Sequence, residues 1–180
     1  MKNKKSIFRP LACVALCALP WITQADSSNP NEIRLATSLD LQGQSKGLGT
    51  GMLSGLEAAL KDKSVGTRQI KLLSENDNYN PPKTVEAVNK LLSQDVFAFV
   101  GNVGTPTAAA ALPLLAEKKV PAIGFFSGSD LLRNNQEDVI NYRASYTQEV
   151  KTVVEEALKN GYAPASICAY VQDDSYGMSG

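Results

Sequence analysis

Val96-Phe97-Ala98-Phe99-Val100-Gly101-Asn102-Val103-Gly104-Thr105-Pro106-Thr107 is the stretch that decides the architecture. Five apolar residues in a row read as a buried strand. Glycines then turn the chain into an Ala/Leu-rich helix. Thr105 is placed to cap that helix, and Pro106 takes its first position, where a missing N–H costs nothing. The order strand, glycine turn, helix gathers free backbone N–H groups and a hydroxyl at a positive helix end, which suits a carboxylate or another anion. Gly104 and Thr105 are therefore the first candidates for a small-molecule site.

Outward from this stretch the chain alternates. Strands are expected at Ile33–Thr37, Gln69–Ser74, Pro121–Phe126 and Val139–Arg143 as well, and a sixth at Ser166–Val171. Helices are expected over about Gly49–Lys61, from Pro82 with Val85, Val88, Leu91 and Leu92 on one face, from Thr105, and over Tyr146–Asn160. In the last, Val150, Val153, Val154, Ala157 and Leu158 keep helical spacing, and Gly161 stops it. Such alternation predicts an α/β fold, a three-layer, doubly wound parallel sheet with strand order 2-1-3-4-5. In that order the first and third strands are neighbours whose connections leave to opposite sides. Ligands bind in the crevice at their carboxyl ends. Ser38–Gly47, Gly101–Thr105 and Phe126–Gly128 line it. Thr105 reads either as a cap alone, worth about 1 kcal/mol, or as a cap that also contacts a ligand; its place at the switch point favours the second.

Composition excludes several functions. The chain has 180 residues, 18 basic and 18 acidic, and no histidine. Zero net charge without a basic stretch beyond the N-terminus argues against nucleic acid. The lack of histidine removes His-based triads and metal sites from what the chain supplies, so no residue reads as catalytic and neither a metal nor a cofactor is expected. Lys2, Lys4, Lys5 and Arg9 precede an apolar run, Leu11–Trp21, and Thr23-Gln24-Ala25 reads as a cleavage site. That run falls short of the roughly 20 residues a spanning helix needs, so residues 1–25 read as a secretory signal peptide and the mature chain as exported. Cys168 then remains alone and reads as a small buried hydrophobe.

Other motifs read as structural. Gly47-Leu48-Gly49-Thr50-Gly51 comes too late after the first strand, and with the wrong spacing, for a dinucleotide fingerprint. The glycines from Gly49 to Gly55 instead let the first helix approach the sheet. Of Phe125 and Phe126, alternation sends one ring into the core and the other to the cleft. Asp77 and Tyr79 read as solvated loop, and Asp173-Asp174 as a turn and helix cap.

Ile33–Thr37 with the Leu39–Gly49 loop, Asn76-Asp77-Asn78-Tyr79-Asn80-Pro81, Gly101–Thr105, Gly124-Phe125-Phe126-Ser127-Gly128, Tyr142-Arg143-Ala144-Ser145-Tyr146 and Asp173-Asp174-Ser175-Tyr176-Gly177 fall in the order of one family. From about Glu32 to Gly180 the chain resembles the N-terminal half of periplasmic solute-binding proteins of ABC importers, of the leucine/isoleucine/valine-binding type. The resemblance implies a type I periplasmic binding protein lobe. It divides the chain into the signal peptide, an N-terminal ligand-binding lobe over 26–145, and, over 146–180, a crossover helix with the first strand of a truncated second lobe. Two lobes would close on a small solute, an amino acid or similar carboxylate, and deliver it in the periplasm to a membrane permease. Thr105 matches the position that holds the substrate carboxylate. Phe126, Ser127 and Gly128 match the rest of the cradle, Leu48 an aromatic wall, and Tyr146 a cleft-facing position. Gly128 stands where amino acid binders carry a hydroxyl for the ammonium group. A ligand-sensing receptor module of the same fold, coupled to a signalling protein, is the alternative.

Overall fold

The computed structural model describes residues 29–134 and 136–180; the N-terminal signal reading lies outside them. In chain order the elements are β1 (Glu32–Leu39), α1 (Lys46–Leu60), β2 (Ser64–Val65), β3 (Arg68–Asn76), α2 (Pro81–Leu92), β4 (Ala98–Val100), α3 (Thr105–Lys118), β5 (Ala122–Ile123), β6 (Val139–Ile140) and α4 (Tyr146–Lys159). The sheet runs β2-β3-β1-β4-β5-β6, all parallel except the β2–β3 pair. Without β2 this is the expected 2-1-3-4-5 order. The added edge strand arises from a two-residue turn at Gly66-Thr67, where Gly66 takes φ +61°, a role glycine fills without steric cost.

Packing follows the apolar pattern. Phe99 of β4, Val88 and Leu91 of α2, Leu112 and Leu115 of α3, Phe125 and Leu132 form one buried cluster with Ala36 of β1. Local chemistry caps the helices, and α1 begins at Lys46, earlier than the Gly49 expected. Asn80 caps α2 by accepting the Lys83 N–H at 3.2 Å. Ser145 and Gln148 close a reciprocal capping box on α4, which satisfies two otherwise orphaned donors.

Three expectations fail. Ser166–Val171 forms no strand, because the described residues contain no second sheet to pair with it. Cys168, expected inside that strand, is accordingly exposed. Asp77 is fully buried rather than solvated. Its carboxylate accepts the Ser38 hydroxyl at 2.7 Å, the Tyr79 N–H at 2.9 Å and the Thr84 hydroxyl at 3.4 Å. It thus ties the end of β1 to the start of α2.

The glycines of α1 are not equivalent. A Cβ on Gly49 would lie 2.0 Å from the Asp40 carbonyl oxygen, whereas one on Gly51 or Gly55 would meet nothing. Only the first serves close approach. Gly49→Ala should therefore lower stability by about 1–3 kcal/mol, and Gly51→Ala raise it by about 0.4–1 kcal/mol; denaturant titration checks both, and equal effects would contradict the packing. Burial raises the Asp77 pKa above 3.8, against the lowering effect of its three hydrogen bonds. A carboxyl raised on folding favours the fold while protonated, so its contribution fades as pH climbs from about 3.8 through the raised value. Asp77→Asn should flatten the stability profile across that window, measured by melting at stepped pH.

Candidate functional site

Beyond the strand ends, the exits of β4 and β5 continue to pair. Phe126 donates its N–H to the Asn102 carbonyl at 2.7 Å, and Gly104 donates to Phe126 at 3.4 Å, with Val103 and Phe126 forming a parallel bridge. This register brings the Thr105 and Ser127 hydroxyls to 2.7 Å. Ser127 Oγ also accepts the Ser129 N–H at 3.2 Å. Thr105 and Ser127 are both fully buried.

Thr105 is not the cap expected of it. Gly104 occupies that position at φ +109°, Thr105 opens the helix, and Pro106 comes second. The reason is steric. A Cβ at residue 104 would fall 2.4 Å from the Tyr79 ring, so only glycine lets that ring lie on the helix start. The α3 terminus is thereby covered by an aromatic side chain rather than left open.

An apolar recess of about 410 Å³ lies alongside, between α1 and these loops. Gly47, Gly51 and Gly55 open it by lacking side chains at every fourth residue of α1. Leu48, Met52, Leu56, Val103 and Phe126 wall it. Leu48 and Phe126, both expected site residues, thus share one surface. Phe125 is buried while Phe126 faces the recess, as strand alternation predicts. Asn102, at the β4 exit, is buried with neither amide atom partnered among the described residues. Another cavity, about 240 Å³ between the C-terminal end of α3 and residues 136–139, contains none of the expected residues and lies at the opposite ends of the strands from those where such sheets bind ligands.

The remaining expected residues sit on the far side of Phe126. Tyr146 donates its N–H to the Gly128 carbonyl at 2.8 Å. A Cβ on Gly128 would strike the Tyr146 ring at 2.7 Å, so this glycine makes room for the tyrosine. Sequence reasoning missed three neighbours. Arg143 places its guanidinium carbon 5.0 Å from the centre of the Phe126 ring and 5.2 Å from that of Tyr146. Tyr176 packs edge-on against Tyr146 at 5.4 Å. Tyr79, read as solvated, is half-buried; burial first, then the charge of Asp174, raises its pKa and keeps the phenol neutral. Burial opposes the Arg143 charge, but the Glu149 carboxylate outweighs it and holds the guanidinium more firmly protonated than usual. The interleaving of arginine with tyrosine in Arg143-Ala144-Ser145-Tyr146 was the available signal.

The C-terminal segment lies against the same surface. Asp174 accepts the N–H groups of Tyr176 and Gly177, at 2.9 and 3.0 Å, and so caps a turn as expected. Ser179 donates to the Ser129 hydroxyl at 3.0 Å. The arrangement offers hydroxyls, aromatic faces, an apolar recess and the Arg143 guanidinium.

Residues 32–180 match the family described as periplasmic binding protein. No curated protein matches the chain. Among solved structures, a possible leucine/isoleucine/valine-binding protein from Rhodopirellula baltica SH 1 superposes with a TM-score of 0.79 at 35% identity, over 88% of this chain and 43% of that one. A solute-binding protein from R. palustris in complex with 4-hydroxybenzoate gives 0.72 at 20% identity, over 82% and 40%. A leucine-binding protein from Thermotoga maritima gives 0.65 at 19% identity, over 71% and 37%. The last two show likeness of fold. This chain spans less than half the length of each of these structures. With its lobe-type sheet, the chain belongs to the periplasmic binding protein family, whose members bind solutes and are not enzymes.

Proposed function

We propose that the protein is the extracytoplasmic solute-binding component of an ABC importer, exported by its N-terminal signal and specific for a small carboxylate with an apolar body. The observation that carries this reading is an apolar recess at the carboxyl ends of the sheet, walled by Leu48, Val103 and Phe126, in a chain whose residues 32–180 match the periplasmic binding protein family. That is where doubly wound sheets take ligands. Two hydroxyls in one hydrogen bond, those of Thr105 and Ser127, spend one proton between them, so a second proton remains to donate. A solute carboxylate would take it, and the recess would take the apolar body.

The rest of the cleft would come from a second lobe, of which residues 146–180 are the beginning. Closure of the two lobes excludes water and presents one shape for a membrane permease to recognise. The relatives support the ligand class. One is a possible leucine/isoleucine/valine-binding protein, and another holds 4-hydroxybenzoate; both names denote apolar bodies bearing a carboxylate.

Full-length protein should therefore show ligand-dependent melting in a screen of branched amino acids, hydroxybenzoates and short carboxylates. Ligand at a hundred times Kd stabilises by about 2.7 kcal/mol, well within reach of a thermal shift. Thr105→Ala should weaken the best ligand by about 1–3 kcal/mol in calorimetry. A screen without any shift would remove the proposed function, and unchanged affinity in the variant would remove Thr105 from the site.

A further inference from the structure

We infer that the apolar recess is a trough for an unbranched hydrocarbon chain, and that the solute is a medium-chain aliphatic carboxylate; this rests on the solute-binding reading above. Gly47, Gly51 and Gly55 stand at four-residue spacing on α1, and Leu48, Met52 and Leu56 follow them at the same spacing. Residues four apart form rows along a helix surface. One row is therefore bare backbone, and its neighbour is an apolar ridge. From Gly47 to Gly55 the bare row runs about 12 Å at the rise of an α-helix. Val103 and Phe126, from the strand exits, supply the facing wall. A recess with a backbone floor and apolar walls along a helix is long and narrow.

The floor is open and the ridge is anchored. A Cβ on Gly47, Gly51 or Gly55 would meet nothing within 4 Å among the described residues. Nothing packed from elsewhere fills the bare row. A Cβ on Gly101, by contrast, would fall 2.9 Å from the Met52 sulfur and 3.0 Å from Leu56 Cδ1. Gly101 thus seats both side chains on the sheet and keeps the ridge in place. Leu48, 55% exposed, stands at the mouth.

The lining decides the class of solute. Every residue in it is glycine or apolar, so affinity grows with the hydrocarbon buried rather than with hydrogen bonds to side chains. The volume of about 410 Å³ exceeds what the side chain of a branched amino acid fills. A single planar ring would cover part of the ridge and leave the rest empty, whereas a straight chain lies along the whole row. The carboxylate belongs at the Gly47 end. α1 starts there, at the carboxyl end of the sheet, where Val103 and Phe126 lead into the chain toward Thr105 and Ser127. Its first turn carries no acidic residue, so the positive end of the helix is left for an anion. The hydrocarbon then runs toward Gly55.

The experiment is calorimetric titration of full-length protein with butanoate, hexanoate, octanoate and decanoate, and with leucine and benzoate alongside. Affinity should climb about fourfold per methylene along the series, and octanoate should bind more tightly than leucine or benzoate. Side chains built onto the floor test the direction. Gly55→Leu should leave butanoate within about twofold of wild type and weaken decanoate roughly tenfold or more. Gly51→Leu, nearer the mouth, should weaken hexanoate and octanoate as well. Both substitutions replace a helical glycine beside open space, so both variants should melt no lower than wild type. A lower melting temperature would mean that the floor is already packed, and would overturn the trough. A flat length dependence in wild type, equal losses at every chain length, or variants with the wild-type profile would also overturn it. Tighter binding of leucine or benzoate than of any straight-chain acid would overturn the aliphatic class and leave the solute-binding function standing. Binding of no solute, in this series or in the wider screen, would overturn both.

Discussion

Everything at the cleft depends on a short continuation of backbone pairing past the ends of the strands. Gly101 donates to Ile123 at 3.0 Å, and Phe126 to Asn102 at 2.7 Å, so the β4 and β5 exits stay in register for several residues after the sheet narrows. Gly101 and Gly104 supply the positive φ values, +66° and +109°, that let the first exit bend without losing its bonds. The register then dictates the rest. Phe125 enters the core, Phe126 faces the recess, and Ser127 meets Thr105. A slip of one residue would exchange the two phenylalanines and separate the hydroxyls.

Around that core of backbone geometry the side chains divide into an apolar side and an aromatic, charged side. α1 contributes Leu48, Met52 and Leu56 to the first, and glycines at four-residue spacing leave it open. The second is built by Tyr79, Tyr146, Tyr176 and Arg143, drawn from three separate loops. Asp77 holds the Tyr79 loop in place, at the cost of a buried carboxylate compensated by three donors. Phe126 is the boundary between the two sides.

The architecture was legible because each strand–helix unit carries its own punctuation. Apolar runs, glycine turns and Gly161 as a stop are all local signals. The strand order followed from handedness and burial, which apply to the whole sheet. What failed depended on distant partners. Ser166–Val171 has strand composition but no neighbour, and composition cannot supply one. Asp77 has turn composition, yet its burial is decided by Ser38 and Thr84, which approach from other elements. Thr105 lost its capping role to Gly104 because of Tyr79, some 25 residues earlier in the chain. The stacking of Arg143 on Phe126 likewise exists only once the loops after β5 and before α4 meet.

Arg133 carries a consequence of its own. Its guanidinium donates to the carbonyls of Ser129 at 2.9 Å, Arg143 at 2.8 Å and Ala144 at 3.1 Å. The loop after β5 and the loop before α4 are thereby clamped to each other by a single fork. Phe126, Ser127 and Arg143 consequently hold their mutual spacing whether or not a guest is present. Their ordering entropy is spent when the chain folds rather than when a guest arrives.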